Sequence, residues 1–216
     1  MLETEIYRLR FSEGELQAQA LWWRPICRYL QRYVPRDGVT LDLGAGFCHF
    51  INNIESRMKI AVDINEDSLR RFAARGVRCI VASATCLDEI PDSSVDSVFA
   101  SNLYEHFSSR EEVAASFREV YRVLRPGGRF IVLQPNFRYC SKRYFDFFDH
   151  RLIFTHLGLI EGLRSCGFDV GTVVPRFLPY TSKSGLPSAP WLVRLYLRVR
   201  PVWRMLGAQM LLVARR

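Results

Sequence analysis

Apolar residues recur at threes and fours early in the chain, at Leu16, Ala20, Trp23, Ile26, Cys27 and Leu30. That spacing forms one stripe and predicts a helix over 15–34. After the turn Arg36-Asp37-Gly38 the pattern changes to short β-branched runs. Val39 to Leu43, Lys59 to Asp63, Val77 to Val81 and Val95 to Ala100 read as four strands. Arg129 to Leu133, Phe168 to Val174 and Gln209 to Ala214 bring the set to seven. Between them the helical period returns. Glu66 to Arg75 predicts a helix closed by a left-handed Gly76. Residues 109–125 predict an amphipathic helix with Val113, Phe117, Val120, Tyr121 and Leu124 on one face. Ser109 is its expected N-cap, Glu112 the capping-box partner and Pro126-Gly127-Gly128 the stop. Residues 155–166 predict a helix ended by Gly167.

Strands alternating with helices specify an α/β fold, a mostly parallel sheet with helices on both faces. The last two strands break the alternation. No helix-length segment stands immediately between them, and Arg176–Ala208 carries Pro179, Pro187, Pro190 and Pro201. The reading is an insertion over 178–207 ahead of an antiparallel last strand. With a helical lead-in over 1–34, residues 1–216 make a single domain.

Composition supports a full core: 49% of residues are hydrophobic and 24% charged, which excludes a disordered chain. The net charge of +8 is local. Residues 1–169 sum to zero, with 22 basic and 22 acidic side chains. Residues 170–216 hold Arg176, Lys183, Arg194, Arg198, Arg200, Arg204, Arg215 and Arg216 and no acid. That pattern points to one basic surface rather than a basic molecule. The cysteines at 27, 48, 79, 86, 140 and 166 contain no CxxC pair, so buried reduced thiols and no metal are expected. The opening MLETEIYRLRFSEGE lacks an apolar h-region, and no apolar run reaches spanning length. The expectation is a cytoplasmic protein.

The first candidate chemistry is Leu41-Asp42-Leu43-Gly44-Ala45-Gly46. A glycine turn after the first strand lets a ligand approach the backbone, and Asp42 stands at the strand's carboxyl end. A carboxylate there suits an ammonium or sulfonium ligand better than a pyrophosphate. Asp63, about 20 residues on, ends the second strand, where an acid can accept both ribose hydroxyls. A dinucleotide turn of the form G-x-G-x-x-G would need glycine at 49, where His49 stands. A nicotinamide site and a turn without ligand remain the competing readings.

Asp42-Leu-Gly-Ala-Gly46, Ala61-Val-Asp63, Pro91-Asp-Ser-Ser-Val-Asp96, Glu105-His106 and Leu124-Arg-Pro-Gly-Gly128 follow in order. Over about residues 35–175 this series resembles the class I S-adenosylmethionine-dependent methyltransferases of the methyltransferase-11-like type. The resemblance implies a Rossmann-like seven-stranded sheet with a reversed last strand and S-adenosyl-L-methionine as cofactor. It implies that Asp42, Gly44, Ala45 and Gly46 hold the methionine end and Asp63 the ribose, with Ile64 beside it. Ser83 and Ala84 would flank the adenine, and Asn102 and Leu103 would lie beside the sulfonium. Two positions depart from the family: Cys48 replaces a third glycine, and Ser83 an acid. Weaker cofactor affinity is expected.

After the fifth strand come Pro135-Asn136-Phe137-Arg138-Tyr139 and Tyr144-Phe145-Asp146-Phe147-Phe148-Asp149-His150. With Pro175-Arg176-Phe177-Leu178-Pro179-Tyr180 they resemble an uncharacterised bacterial group linked to surface-polysaccharide and glycolipid clusters. Rings and carboxylates on the ligand edge suit a small-molecule, glycan or lipid-linked acceptor. If the acceptor is a hydroxyl, a general base is needed. The candidates are His150, Asp149, Asp146 and His106, in that order, with Glu105 read as structural. The competing reading is a helix with Phe145 and Phe148 in the core and the acids in water, with His106 packing or capping.

Residues 191–204, with Arg194 and Arg198 four apart opposite Leu192, Leu195, Tyr196 and Val199, form a basic amphipathic helix. Its readings are a solvated helix packed on the domain, a peripheral contact with the inner membrane or a lipid-linked substrate, or nucleic acid. No aromatic-basic RNA-binding motif is present, so no nucleic-acid partner is expected. A noncatalytic module of the same fold, docking through this segment on membrane or a partner enzyme, is the alternative function.

Overall fold

The computed structural model describes residues 12–180 and 189–216. The expectations on residues 1–11, Lys183 and Pro187 lie outside the described residues. In chain order the helices are α1 (Glu13–Leu30), α2 (His49–Asn53), α3 (Glu66–Phe72), α4 (Arg110–Val123), α5 (Phe137–Cys140), α6 (His156–Ser165), α7 (Pro190–Arg198) and α8 (Arg200–Leu206). β1 (Val39–Leu43) is buried along its whole length, as a central parallel strand with both faces covered must be. β2 (Met58–Asp63) and β4 (Val95–Ser101) flank it in parallel. β3 (Val77–Val81) and β5 (Leu124–Pro135) extend the sheet outward, also in parallel. β7 (Gln209–Arg215) runs antiparallel between β5 and β6 (Asp169–Leu178). The order β3-β2-β1-β4-β5-β7-β6 is the expected seven-stranded sheet with its last strand reversed. Strand order turns back between β1 and β4, so the loops leaving their carboxyl ends diverge and open a crevice.

Two apolar layers cover the sheet. One joins Leu41 and Leu43 to Phe117 and Val120 of α4 and to Leu159 and Leu163 of α6. The other joins Ala61, Phe99 and Ile131 to α1, α2 and α3, and to Leu197 of α7 and Trp203 of α8. Side chains alternate along a strand, so Asp42 points opposite to Leu41 and Leu43, into the layer under α2. Its Oδ2 accepts the Ile51 N–H of that helix at 3.2 Å.

Several local expectations are corrected. α3 stops at Phe72, short of the expected Arg75, and Gly76 sits in the following turn rather than capping it. The Asn52 carboxamide ends the helix: its Nδ2 donates to the Phe72 carbonyl at 2.7 Å and its Oδ1 accepts the Ala74 N–H at 2.9 Å. Ser109 caps α4 as expected, but Glu112 reaches back to the Ser108 N–H at 2.8 Å rather than to that of Ser109. α4 ends at Val123, and β5 begins at Leu124, ahead of the Pro-Gly-Gly turn, because Leu124 pairs with Val95. The insertion before β7 contains two helices. Pro190 and Pro201 lie in their first turns, where a missing N–H leaves no hydrogen bond unmade. Cys27, Cys48 and Cys140 are buried free thiols, whereas Cys79 and Cys86 are exposed. Cys79 lies on β3, an edge strand covered on one side.

The Asn52 bridge yields a stability prediction. Asn52→Ala removes two hydrogen bonds and is expected to cost about 2 kcal/mol in urea unfolding. A loss below about 0.5 kcal/mol, the lower end of a single bond, would show that the bridge does not hold the end of α3.

Candidate active site

The glycine turn is held from both sides. The Gly44 and Ala45 N–H groups donate to the Val62 carbonyl at 2.9 and 3.0 Å, and the Gly46 N–H donates to Asp63 Oδ2 at 2.8 Å. Asp63 Oδ1 accepts the Asn65 N–H at 2.9 Å, so the carboxylate joins the turn to the start of α3. Gly44 and Gly46 have φ of +68° and +49°. A Cβ on Gly44 would meet Leu103 Cδ1 at 2.7 Å, which ties the turn to the exit of β4. Cys48, in the place of the third glycine, has φ of +56°. The left-handed backbone that glycine tolerates is imposed on a cysteine, at roughly 1–2 kcal/mol. Its fully buried thiol packs in the layer beneath.

This turn floors a cleft of about 1190 Å³. An ordinary small-molecule site occupies roughly 300–1,000 Å³, so the cleft has room for a donor and an acceptor together. Asp42, Gly44, Ala45, Gly46, Asp63 and Ile64 line it. Ser83, Ala84, Asn102 and Leu103 line it too. All of the residues expected to hold a cofactor therefore line one cleft. Ser83 Oγ lies 2.8 Å from Thr85 Oγ1 and accepts the Thr85 N–H, so part of its capacity is used locally. Asn102 adopts φ of +47°, and its Nδ2 donates to Ser101 Oγ.

The acids and histidines expected as bases separate. Asp146 is exposed and does not line the cleft. Asp149, His150 and His106 line it together, and Glu105, read as structural from the sequence, joins them. The short 3₁₀ turn Tyr104–His106 drops Glu105 to full burial, where Gln134 Nε2 donates to its Oε2. The Glu105 carbonyl accepts the N–H groups of Arg151 and Leu152 at 2.7 and 3.1 Å, so the loop after β5 is pinned against the exit of β4. His106 Nδ1 then lies 3.4 Å from Asp149 Oδ2 and 3.1 Å from the Asp149 carbonyl. His150 Nε2 lies 4.0 Å from Glu105 Oε1, and its Nδ1 lies 3.4 Å from the Tyr180 hydroxyl. Burial, opposed by the neighbouring His106, raises the Glu105 carboxyl above its ordinary range. The competing helix reading holds for Asp146, which is exposed, and fails for Phe145 and Phe148, 60% and 82% exposed, and for Asp149, which is buried. Glu105, His106 and His150 bring one ligand-type atom each within 4.8 Å.

Two parts of the site were missed in the sequence. α1, read as a lead-in, forms a wall of the cleft through Leu16, Gln19, Trp22 and Trp23. His49, noted as the missing dinucleotide glycine, stacks under Trp23 with ring centroids 6.3 Å apart. Its Nε2 is buried without a hydrogen-bond partner among the described residues, and burial lowers its pKa to about 4. The helical period of α1 marked these rings as apolar, but not what they faced.

Burial also governs Asp42. It raises the carboxyl from its ordinary 3.8 to about 8, against the lowering effect of the Ile51 N–H and helped by nearby Asp63. A carboxyl that holds its proton more tightly when folded stabilises the fold below its unfolded pKa. That contribution is lost as pH rises through the folded one. Asp42→Asn keeps an acceptor for Ile51 and removes the titration. The melting temperature of the variant is expected to gain on the parent from about pH 4 to pH 8 and to hold that gap above. A gap independent of pH would refute the buried-proton account.

Residues 41–132 match the family model described as a methyltransferase domain. The chain is 30% identical over 132 residues to a methyltransferase of Claviceps purpurea, covering 58% of this chain and 40% of that protein. It is 40% identical over 98 residues to a malonyl-[acyl-carrier protein] O-methyltransferase of Methylococcus capsulatus, covering 41% of this chain and 34% of the relative. The chain thus spans less than half the length of these curated relatives. A solved S-adenosylmethionine-dependent methyltransferase from Archaeoglobus fulgidus superposes with a TM-score of 0.64 at 21% identity, over 88% of this chain and 93% of that one. The strand order and the superposition show the Rossmann-like fold of class I S-adenosylmethionine-dependent methyltransferases, and the segment 41–132, which carries the glycine turn and its two acids, matches the methyltransferase-domain family.

Proposed function

We propose that this chain transfers a methyl group from S-adenosylmethionine to a hydroxyl oxygen of a small-molecule, glycan or lipid-linked acceptor. One observation carries the reading: a carboxylate-backed histidine, His106 on Asp149, shares one cleft with the Asp42–Gly46 turn and Asp63. The name of the Methylococcus relative, an O-methyltransferase, supports oxygen as the acceptor atom.

The residues present fit the cofactor. A Cβ on Gly46 would meet no heavy atom within 4 Å, so the turn leaves open space that any other residue would fill. Each Asp63 oxygen takes one backbone N–H and keeps a lone pair for a ribose hydroxyl. Asp42 offers a desolvated carboxyl to a cationic ligand, and Ile64 an exposed apolar edge to an adenosine. When bound, the cofactor supplies an electrophilic methyl group on a positively charged sulfur.

The protein's own work is alignment and proton removal. Leu103, packed on Gly44, and Asn102 set the cleft wall where donor and acceptor meet; orientation of this kind can supply several kcal/mol of a barrier. Asp149 holds the Nδ1 edge of His106 and so fixes the orientation of its ring. His106 Nε2 makes no hydrogen bond among the described residues and is placed to accept the acceptor's hydroxyl proton. His150 has a polar neighbour at each ring nitrogen and is more deeply buried, so it is the weaker base candidate. The order of bases expected from sequence is thereby revised in this proposal, with His106 first and Asp146 omitted.

The test couples binding to turnover. S-adenosylmethionine at about 100 times its dissociation constant should stabilise the protein by about 2.7 kcal/mol in a thermal-shift series. No shift at millimolar ligand would favour the noncatalytic module. His106→Gln and Asp149→Asn should keep that shift and lower tritiated methyl incorporation into fractionated cell extract by about 10²–10⁴-fold. Undiminished incorporation in both variants would remove the histidine from the mechanism.

A further inference from the structure

We infer that the helix pair α7–α8 is a docking surface for anionic phospholipid bilayers, and that it sets the mouth of the cleft against the lipid. The inference is independent of the reaction proposed above. It begins with what these helices leave outside. Trp191, Leu195 and Met205 are 63%, 51% and 76% exposed, although Leu197 and Trp203 of the same helices are buried in the core. Packing on the domain therefore accounts for one side of the pair and not the other. At 100° per residue, Arg194, Arg198, Trp191 and Leu195 fall within one arc of about 100° on the outer face of α7, which corrects the sequence expectation that Leu195 lies opposite the arginines. Two guanidinium groups and two apolar side chains share that arc, the combination of an interfacial helix.

The charge on this face is unopposed. No carboxylate is found in residues 170–216. The ion pairs among the described residues join arginines at 36, 70, 71, 78, 122 and 125 to acids elsewhere, and none involves Arg194, Arg198, Arg200 or Arg204. The other basic residues near the C-terminus are used inside the fold. Arg176 donates to the Gly207 and Met205 carbonyls, and Arg216 to the Arg122 and Leu124 carbonyls and to Ser93 Oγ. The local basic excess thus narrows to these two helices, Arg215 and Lys183, the last outside the described residues.

The cleft connects with this face. Leu195, Val199 and Leu206 are exposed and also line the cleft that holds Asp42 and His106. A bilayer against α7–α8 would cover the apolar rim of that cleft, so an amphiphilic acceptor could enter without crossing water. No helix among the described residues is long and apolar enough to cross a membrane, so the mode is surface contact. A nucleic acid would satisfy the arginines but leave Trp191, Leu195 and Met205 in water, which is why lipid is the occupant chosen.

Sedimentation with vesicles tests this without any measurement of activity. The whole protein should bind vesicles of phosphatidylglycerol and phosphatidylcholine, and should bind pure phosphatidylcholine at least about tenfold less. Each arginine at an anionic surface is worth roughly fivefold, so Arg194→Gln/Arg198→Gln/Arg204→Gln should weaken binding about a hundredfold. Raising salt to about 1 M, where the screening length falls to about 3 Å, should also release the protein. Trp191→Ser/Met205→Ser should weaken lipid binding severalfold. Both variants change exposed side chains, and unchanged melting temperatures are expected. Equal binding to neutral and anionic vesicles, no binding to either, or a DNA duplex bound more tightly than vesicles and unaffected by Trp191→Ser/Met205→Ser would overturn the inference.

Discussion

The hydrogen bond from the Gly46 N–H to the Asp63 carboxylate is the contact on which the working edge of this molecule depends. It joins the loop after β1 to the end of β2. The same carboxylate holds Asn65, which in turn caps α3 through the Ser68 N–H. Ser68 completes the circuit by donating its hydroxyl to the Gly46 carbonyl at 2.8 Å. A loop with two glycines would otherwise have wide backbone freedom. Tied at both ends of Gly46, it becomes a fixed floor, and a ligand binding there need not order it.

The rest of the cleft is assembled from distant segments for a common reason. The sheet reverses its order at β1 and β4, and each strand on either side delivers its loop to the same opening. β2 delivers Asp63, β4 delivers Glu105 and His106, and β5 delivers the loop carrying Asp149 and His150. The remaining walls are α1 and α7, which pack against each other over the sheet. Helices far apart in the chain therefore wall the same cleft. Neither segment has a meaning for the site until the sheet brings them together.

Burial decides the chemistry of several groups whose residue type alone says little. Asp42 and Glu105 are carboxyls whose desolvation favours the protonated form, and His49 is an imidazole held neutral. Asp149 and Asp146 lie three positions apart in one aromatic run, yet one is buried beside His106 and the other is exposed. Sequence spacing treats the two aspartates alike. The position of the loop against the Glu105 carbonyl separates them.

Local patterns were enough to determine the seven strands, their order of appearance, the glycine turn and the two acids at 42 and 63, because each follows from short-range periodicity or from backbone freedom at a few residues. The cap at Ser109 was legible for the same reason. Tertiary structure alone decided where α3 ends, because the residue that ends it, Asn52, comes from another helix. It also decided that α1 walls the cleft, that Glu105 belongs to the histidine cluster and that Phe148 faces water. Those outcomes depend on which surfaces meet, and a side chain's periodicity shows that it can be buried without showing against what.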